Sequence, residues 1–294
     1  MSRSIGVHCI RGNIKHDDCK RCAKDPLHPC GYPADLLELM VRDTSQPPTS
    51  AHSPSRILGC DRQLNIENFV DYFVDVDYAY PMTRGSMFHA LMETTTYPDA
   101  YFVAREQRLT LPVETTLGIK DFTGKPDLVV AMNPPVDGVL HVKIVDYKSK
   151  AEIGHDLVEA VVDHQIQINL YAYLVTQCLK VEGATSIVVD ELEIVYCDMK
   201  KVRRFTTAGP LVARGKRIGR TGSNYDTLDL APLRMKSIGW SAKLIKHRIE
   251  QRENAKSTLP EVLPIEDSWK CVRCPVLTAC DALAVQDNKR RPMQ

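Results

Sequence analysis

The spacing of apolar and polar residues changes several times along the chain, and each change marks an element. ADLLELMVRD, from Ala34 to Asp43, reads as a helix, and the Pro- and Ser-rich TSQPPTSAHSP after it reads as a linker ending near Pro54. A helical stretch is predicted to begin near Ser55 in SRILGCDRQLNIENFV. A second lies in TRGSMFHALMETT, where Met87, Phe88, Leu91 and Met92 make an apolar face bordered by His89 and Glu93. After Pro98 the period shortens to that of strands: YFVAREQRLTL, TTLGIK, GKPDLVVAM and VLHVKIVDYKS. LVEAVVDHQIQINLYAYLVTQCL is too long for a strand and is therefore helical. A further strand, TSIVVDELEIVYCDM, follows, and Ile238, Leu244, Ile245 and Ile249 mark one more helix. This order predicts an α/β fold with a mixed sheet flanked by helices, and not a doubly wound dinucleotide fold. There is no internal repeat and no Gly-rich phosphate loop.

A chain of 294 residues with 44% hydrophobic and 26% charged residues has the composition of an ordinary globular protein and can bury a substantial core. No apolar run approaches the roughly 20 residues of a membrane span, and MSRSIGVHCIRGN does not read as a signal peptide. The expectation is a cytoplasmic protein with no membrane partner, in a bacterial, archaeal or virus-infected host cell. The net charge of +1 argues neither for nor against a polyanionic partner, but Met199 to Tyr225 contains eight Lys or Arg and no acidic residue. Such a block is either a solvated loop or a track for phosphates. The composition shifts place a Cys-rich module with a short helix at 1–45, a linker at 46–54 and a larger domain at 55–294.

The chemistry concentrates in GKPDLVVAMNPPVDGVLHVKIVDYKSK. Two β-rich runs are joined by NPPVDG, whose Asn, Pro and Gly suit a tight connection. A hairpin folded about residues 135 to 137 sets Asp127 opposite Asp146 or a near neighbour. Like charges in that relation are destabilising unless something positive lies between them. A divalent cation with oxygen ligands is a natural compensator. Lys148 shares a face with Asp146, where its ammonium can hold a scissile phosphate or orient an attacking water. The competing reading of Asp146 and Lys148 is a simple surface ion pair, which leaves the second aspartate without a reason.

GKPDLVV followed by IVDYKSK resembles the motif of the PD-(D/E)XK nuclease superfamily. The wider set resembles its RecB-like branch, including the CRISPR-associated RecB-like exonucleases and the nuclease domains of helicase-nuclease complexes. In that branch a G-x-x-x-H helix precedes the strands, here GSMFH from Gly85 to His89. A Q-x-x-x-Y helix follows them, here QINLY from Gln167 to Tyr171. The resemblance spans about Ser53 to Ala282. It implies a restriction-endonuclease-like fold and a Mg²⁺ or Mn²⁺ site with His89, Asp127, Asp146 and the Tyr147 carbonyl as ligands. It makes Lys148 the catalytic lysine beside Asp127 and Asp146, and Gln167 and Tyr171 residues that contact substrate or brace the site. Glu93 and Glu106 are extra carboxylates without an assigned use.

Ten cysteines without a secretion signal point to metal binding or buried thiols before disulfides. Cys271, Cys274 and Cys280, spaced C-x2-C-x5-C, place three thiols within reach of one centre. Many members of the resembled branch hold a [4Fe-4S] cluster with one upstream cysteine and three close-spaced ones after the nuclease motifs, which implies Cys60 as the fourth ligand. Composition does not separate zinc from iron and sulfide. Cys178 and Cys197 sit in apolar contexts, where a buried thiol is the default. Near the amino terminus Cys19 and Cys22 form a CxxC knuckle, with Cys9 and Cys30 the simplest partners for a Zn²⁺ site and His8, His16 and His28 as substitutes. That module would bind DNA or a partner protein. The resemblance implies a metal-dependent DNA nuclease, an exonuclease on single-stranded ends, of use in DNA repair or recombination. The alternatives are an endonuclease or a nuclease for branched or RNA-containing substrates, and, from another class, a non-catalytic DNA-binding metalloprotein.

Overall fold

A computed structural model describes residues 4–9, 12–25, 32–45, 52–154, 156–219, 222–255, 274, 276 and 279–280. The chain divides into two compact units, one of 1–49, 59–86 and 251–294 and the other of 50–58 and 87–250.

In the first unit β1 (Ser4–Cys9) pairs antiparallel with β2 (Gly12–Lys15), and α1 (His16–Ala23) and α2 (Ala34–Ser45) follow. Val7, Cys19, Leu37, Met40 and Val41 close a small apolar core. The sequence pattern predicted little regular structure before Ala34. The two short strands escape it because Ile5, Val7, Ile10 and Ile14 are spread thinly among polar residues, and the core that Val7 and Ile14 join is supplied from later in the chain. The helix predicted from Ser55 divides into a single 3₁₀ turn at Arg56–Leu58 and α3 (Asp61–Phe69), with Cys60 extended between them as the residue that starts α3. β3 (Tyr72–Asp75) joins β1 in parallel. Asp75 then caps α4 (Val76–Glu93) by accepting the Asp77 amide at 2.7 Å.

The second unit carries the main sheet. β4 (Phe102–Arg105), β5 (Leu109–Thr115), β6 (Gly118–Gly124), β7 (Leu128–Ala131) and β8 (Val139–Ser149) are followed by α5 (Val162–Cys178), β9 (Ser186–Cys197), β10 (Val202–Thr206), β11 (Leu211–Gly219), β12 (Gly222–Leu230) and α6 (Ile238–Ala255). The five-stranded order is β10-β9-β8-β7-β4, with β8 and β9 parallel and the other neighbours antiparallel. The mixed sheet with flanking helices agrees with the expected restriction-endonuclease-like class. Parallel neighbours need a crossover, and α5 supplies it, burying Ile168, Leu170, Leu174 and Val175 in one core with Ile144, Leu192, Ile194 and Tyr196. The opposite sheet face packs Leu128, Val130, Val145, Tyr147 and Val195 with Phe88 and Met92 from the end of α4.

Three local departures from the sequence pattern matter. The run predicted as one strand over YFVAREQRLTL breaks at Glu106, which has φ +46°, so β4 stays in the main sheet while β5 pairs with β6 instead. The helix predicted from Leu157 starts five residues later. The carbonyls of Leu157 and Val158 are taken by the Arg203 guanidinium and the Ala231 amide, which removes the acceptors a first helical turn needs. The basic block is not a loop: most of it forms β10 and the β11–β12 hairpin.

Candidate active site

The β7–β8 hairpin turns through Asp137 and Gly138, both at positive φ (51° and 78°), with Val136 and Val139 bridged across the turn. That is the conformation a two-residue Asp-Gly hairpin turn favours. The Val136↔Val139 bridge is two residues out of step with the ladder Leu128↔Val145; the two extra residues fall between Val130 and Val136, and one step beyond the ladder Asp127 comes opposite Asp146. The strand that wants burial thus ends in charged residues because its last residues run into a site.

Asp127 is held from two sides. Its Oδ2 accepts the backbone amide of Tyr147 at 2.6 Å, and its Oδ1 lies 3.3 Å from His89 Nδ1. His89 reaches in from α4 and also lies 3.4 Å from Glu106 Oε1, whose other oxygen pairs with Lys125 Nζ at 2.6 Å. Glu106 is in the left-handed region, which costs a non-glycine residue of order 1 kcal/mol or more. Its amide donates to the Pro126 carbonyl at 3.1 Å, so the strained turn is tied to the Asp127 segment and aims the carboxylate at His89. One ligand atom each from His89, Glu106 and Asp127 lies within 4.8 Å of the others. It is the one such metal-ligating group of three among the described residues.

Asp146 is 1% exposed, on the sheet face under α5. Lys148 Nζ donates to its Oδ1 at 3.0 Å and to Gln167 Oε1 at 3.1 Å. The ammonium is 2.9 Å from Oδ2 as well, yet Oδ2 receives no hydrogen bond and keeps its lone pairs. Gln167 Nε2 donates in turn to the Tyr171 hydroxyl at 3.2 Å, which turns the amide oxygen toward Lys148. Gly124 makes room for this arrangement: a Cβ there would stand 2.6 Å from Leu174 Cδ1 and 3.0 Å from the Tyr171 ring.

The electrostatics follow from the layout. Hydrogen bonds to Asp127 and then Glu106 raise His89 to about 10 against the opposing effect of burial, so without a metal it is an imidazolium. Burial works against Glu106, but His89 and Lys125 outweigh it and bring its pKa down to about 2. Asp146 goes the other way, up to about 6, because burial outweighs the attraction of Lys148 and Asp127 adds repulsion.

The residues singled out from the sequence fall into two adjoining sets: His89 and Asp127, with the Tyr147 amide, and Asp146, Lys148, Gln167 and Tyr171. Asp146 feels the charges of Asp127 and His89 but is not one of the three ligand atoms within 4.8 Å. Glu93 is exposed and stays outside. Glu106, named from the sequence as an extra carboxylate without an assigned use, takes a place beside His89; Lys125 was not singled out, since it looks like any surface lysine beside a proline. Of the predicted cysteine sets, Cys271 and Cys30 lie outside the described residues.

A family model for the PD-(D/E)XK nuclease superfamily matches residues 89–281. The chain belongs to the PD-(D/E)XK nuclease superfamily. Superfamily membership makes it a metal-dependent nuclease, a hydrolase of phosphodiester bonds, and the match opens at His89. Among solved structures the chain is similar to the one described as the crystal structure of SSO0001, at 11% identity and a TM-score of 0.47, over 84% of this chain and 94% of that one. A search of curated proteins finds no match.

The donor set fits the divalent metal that PD-(D/E)XK nucleases use. It consists of hard carboxylate oxygens with one imidazole, and the Asp146 Oδ2 atom is buried with its lone pairs unused.

Proposed function

We propose that the chain is a DNA exonuclease acting on single-stranded ends, with Asp127, Asp146, His89, Glu106 and the Tyr147 carbonyl holding Mg²⁺ or Mn²⁺ and Lys148 as the catalytic lysine. The observation that carries this reading is the convergence of Asp127 and Asp146 at the end of one strand pair, with Lys148 clamped between Asp146 and Gln167. When bound, the metal supplies Lewis acidity and lowers the pKa of a coordinated water. Lys148 holds a non-bridging oxygen of the scissile phosphate or orients the attacking water, offsetting negative charge as it develops. Gln167, itself oriented by Tyr171, fixes the lysine's position together with Asp146 and leaves its third N–H for the phosphate. The preference for ends rests on resemblance to the RecB-like exonucleases.

The cysteines complete the reading. Cys60, Cys271, Cys274 and Cys280 hold a [4Fe-4S] cluster; in support, Arg62, in the first turn of α3, donates to Cys280 Sγ at 3.2 Å, which brings the Cys60 segment and the C-x2-C-x5-C segment together. Cys9, Cys19, Cys22 and Cys30 form a zinc module, supported by α1 presenting Cys19 and Cys22 one turn apart. Iron, sulfide and zinc analysis of anaerobically purified protein tests both.

The decisive experiment for the activity is incubation with end-labelled linear single-stranded, linear double-stranded and circular single-stranded DNA, with Mg²⁺ or Mn²⁺ and with EDTA. Degradation of linear single strands alone, abolished by EDTA, is the expected result. Cutting of the circle makes the protein an endonuclease, and no cleavage of any substrate leaves a non-catalytic DNA-binding protein.

A further inference from the structure

The face of α5 that carries Gln167 also carries His164, one turn nearer the start of the helix, and the mechanism above gives it no task. It stands over Tyr196, which is fully buried and pairs with Lys148 in the parallel β8–β9 ladder. The Tyr196 hydroxyl accepts the Val161 amide at 3.0 Å and lies 2.9 Å from His164 Nδ1. No other acceptor for the phenol proton exists among the described residues, and a buried hydroxyl does not leave its proton unshared. The proton therefore goes to Nδ1, which makes Nδ1 the acceptor and puts the ring's own proton on Nε2.

The ring is also kept neutral. Burial, and after it the charges of Lys148 and Lys150, push its pKa down to about 3. Lys150 borders the same phenol: its Nζ is 5.0 Å from the Tyr196 ring centroid, and the His164 ring is 5.6 Å from it. An N–H donor fixed beside two ammonium groups is hostile to a cation, since it offers no lone pair, and suited to an anion. His164 is partly exposed, so a ligand can reach it. Lys148 and Lys150 are two residues apart along an extended chain, roughly 6.6 Å, a spacing comparable to that of successive phosphates on a nucleic-acid strand.

We propose that Lys150 and His164 Nε2–H form a seat for the phosphodiester next to the scissile one, on the side of Lys148 away from Asp146. The seat rests on the nuclease reading, because it places the scissile phosphate at Lys148. It sets a path for the nucleic-acid strand along the end of the central β8: one phosphate at Lys148, its neighbour at Lys150 and His164.

Binding tests the seat without requiring cleavage. The affinity of the full-length protein for a fluorescent single-stranded oligonucleotide is measured in EDTA for wild type, His164→Phe, His164→Gln and Lys150→Met. Phe removes the Nε2 donor and, with Nδ1, the acceptor of the Tyr196 proton, so affinity should fall at least roughly tenfold, the worth of a single hydrogen bond to a charged group, and rescue by Gln isolates the donor. Gln, whose amide can donate, should restore most of it. Lys150→Met should reduce the slope of log affinity against log salt by about 0.7. Nitrogen-15 NMR of wild type should find His164 Nδ1 unprotonated and Nε2 protonated. Absence of binding by wild type, unchanged affinity in His164→Phe, or a protonated Nδ1 overturns the seat. If these binding results hold while wild type cleaves nothing with any metal, Lys150 and His164 still seat a phosphodiester, and the assignment of its neighbour at Lys148 as scissile falls with the nuclease reading.

Discussion

Two faces of the same strand pair each set lysine beside carboxylate, and they come to opposite ends. On the face away from α5, Lys143 pairs with Glu191 at 3.0 Å and with Glu193, while Arg204 also bonds Glu193. Two cations meet two anions. Burial works against Glu193, Lys143 and Arg204, yet their mutual hydrogen bonds win: Glu193 is lowered, and Lys143 and Arg204 are raised. On the α5 face, Asp146 is raised because Lys148 alone does not repay its burial and Asp127 stands across from it. Beside it Asp127 and Glu106, from two further segments, close on His89, which carries a proton only because they hold it. A lysine–carboxylate pair is thus structural when its charges close on themselves, and functional when acids gather with lone pairs left over.

The largest effects should separate the faces. Asp146→Ala and Lys148→Ala should each lower the cleavage rate by about a thousandfold or more, with DNA binding and cooperative unfolding kept. Glu193→Ala should do the reverse, leaving Lys143 and Arg204 short of a buried partner and costing about 3 kcal/mol of stability, read by denaturant unfolding, with activity per folded molecule retained. Loss of activity without loss of stability in that variant would break the comparison.

A proton count sharpens it. Near pH 8 the metal-free His89 is protonated, since its folded pKa of about 10 lies above that pH, whereas Asp146, at about 6, is already ionised. Mn²⁺ binding through His89 should therefore release about one proton at pH 8, and nearer two at pH 5, where Asp146 also holds one. Affinity for Mn²⁺ should rise with pH up to about 10, and His89→Gln should abolish the release at pH 8; calorimetry in buffers of different ionisation enthalpy measures it. The smallest effect expected is for Gly124→Ala, which crowds Leu174 and the Tyr171 ring and should lower the cleavage rate several-fold through a displaced Gln167.

The sequence carried the α5 face well for a physical reason. A hairpin folded about residues 135 to 137 brought Asp127 to Asp146 or a near neighbour. The turn lies slightly later, at Asp137 and Gly138, and two extra residues before it restore the Asp127–Asp146 pairing, while helical spacing alone placed Gln167 four residues before Tyr171. What it did not carry depends on tertiary bonds or backbone strain. Glu106 joins the site through a left-handed break in an apparent strand. The start of α5 is set by Arg203 and Ala231 taking carbonyls from residues distant in the chain. The Lys143–Glu193–Arg204 group was invisible because its members lie on three strands whose order the residue pattern does not give.

The most direct measurement is a Mn²⁺ titration of wild type, Asp127→Asn and Glu193→Gln, followed by electron paramagnetic resonance and paired with cleavage of a linear single strand in the same samples. Wild type and folded Glu193→Gln should bind the ion and cut, and Asp127→Asn should do neither. Equal binding and equal cleavage by Asp127→Asn would contradict a metal centre at the end of the β7–β8 hairpin.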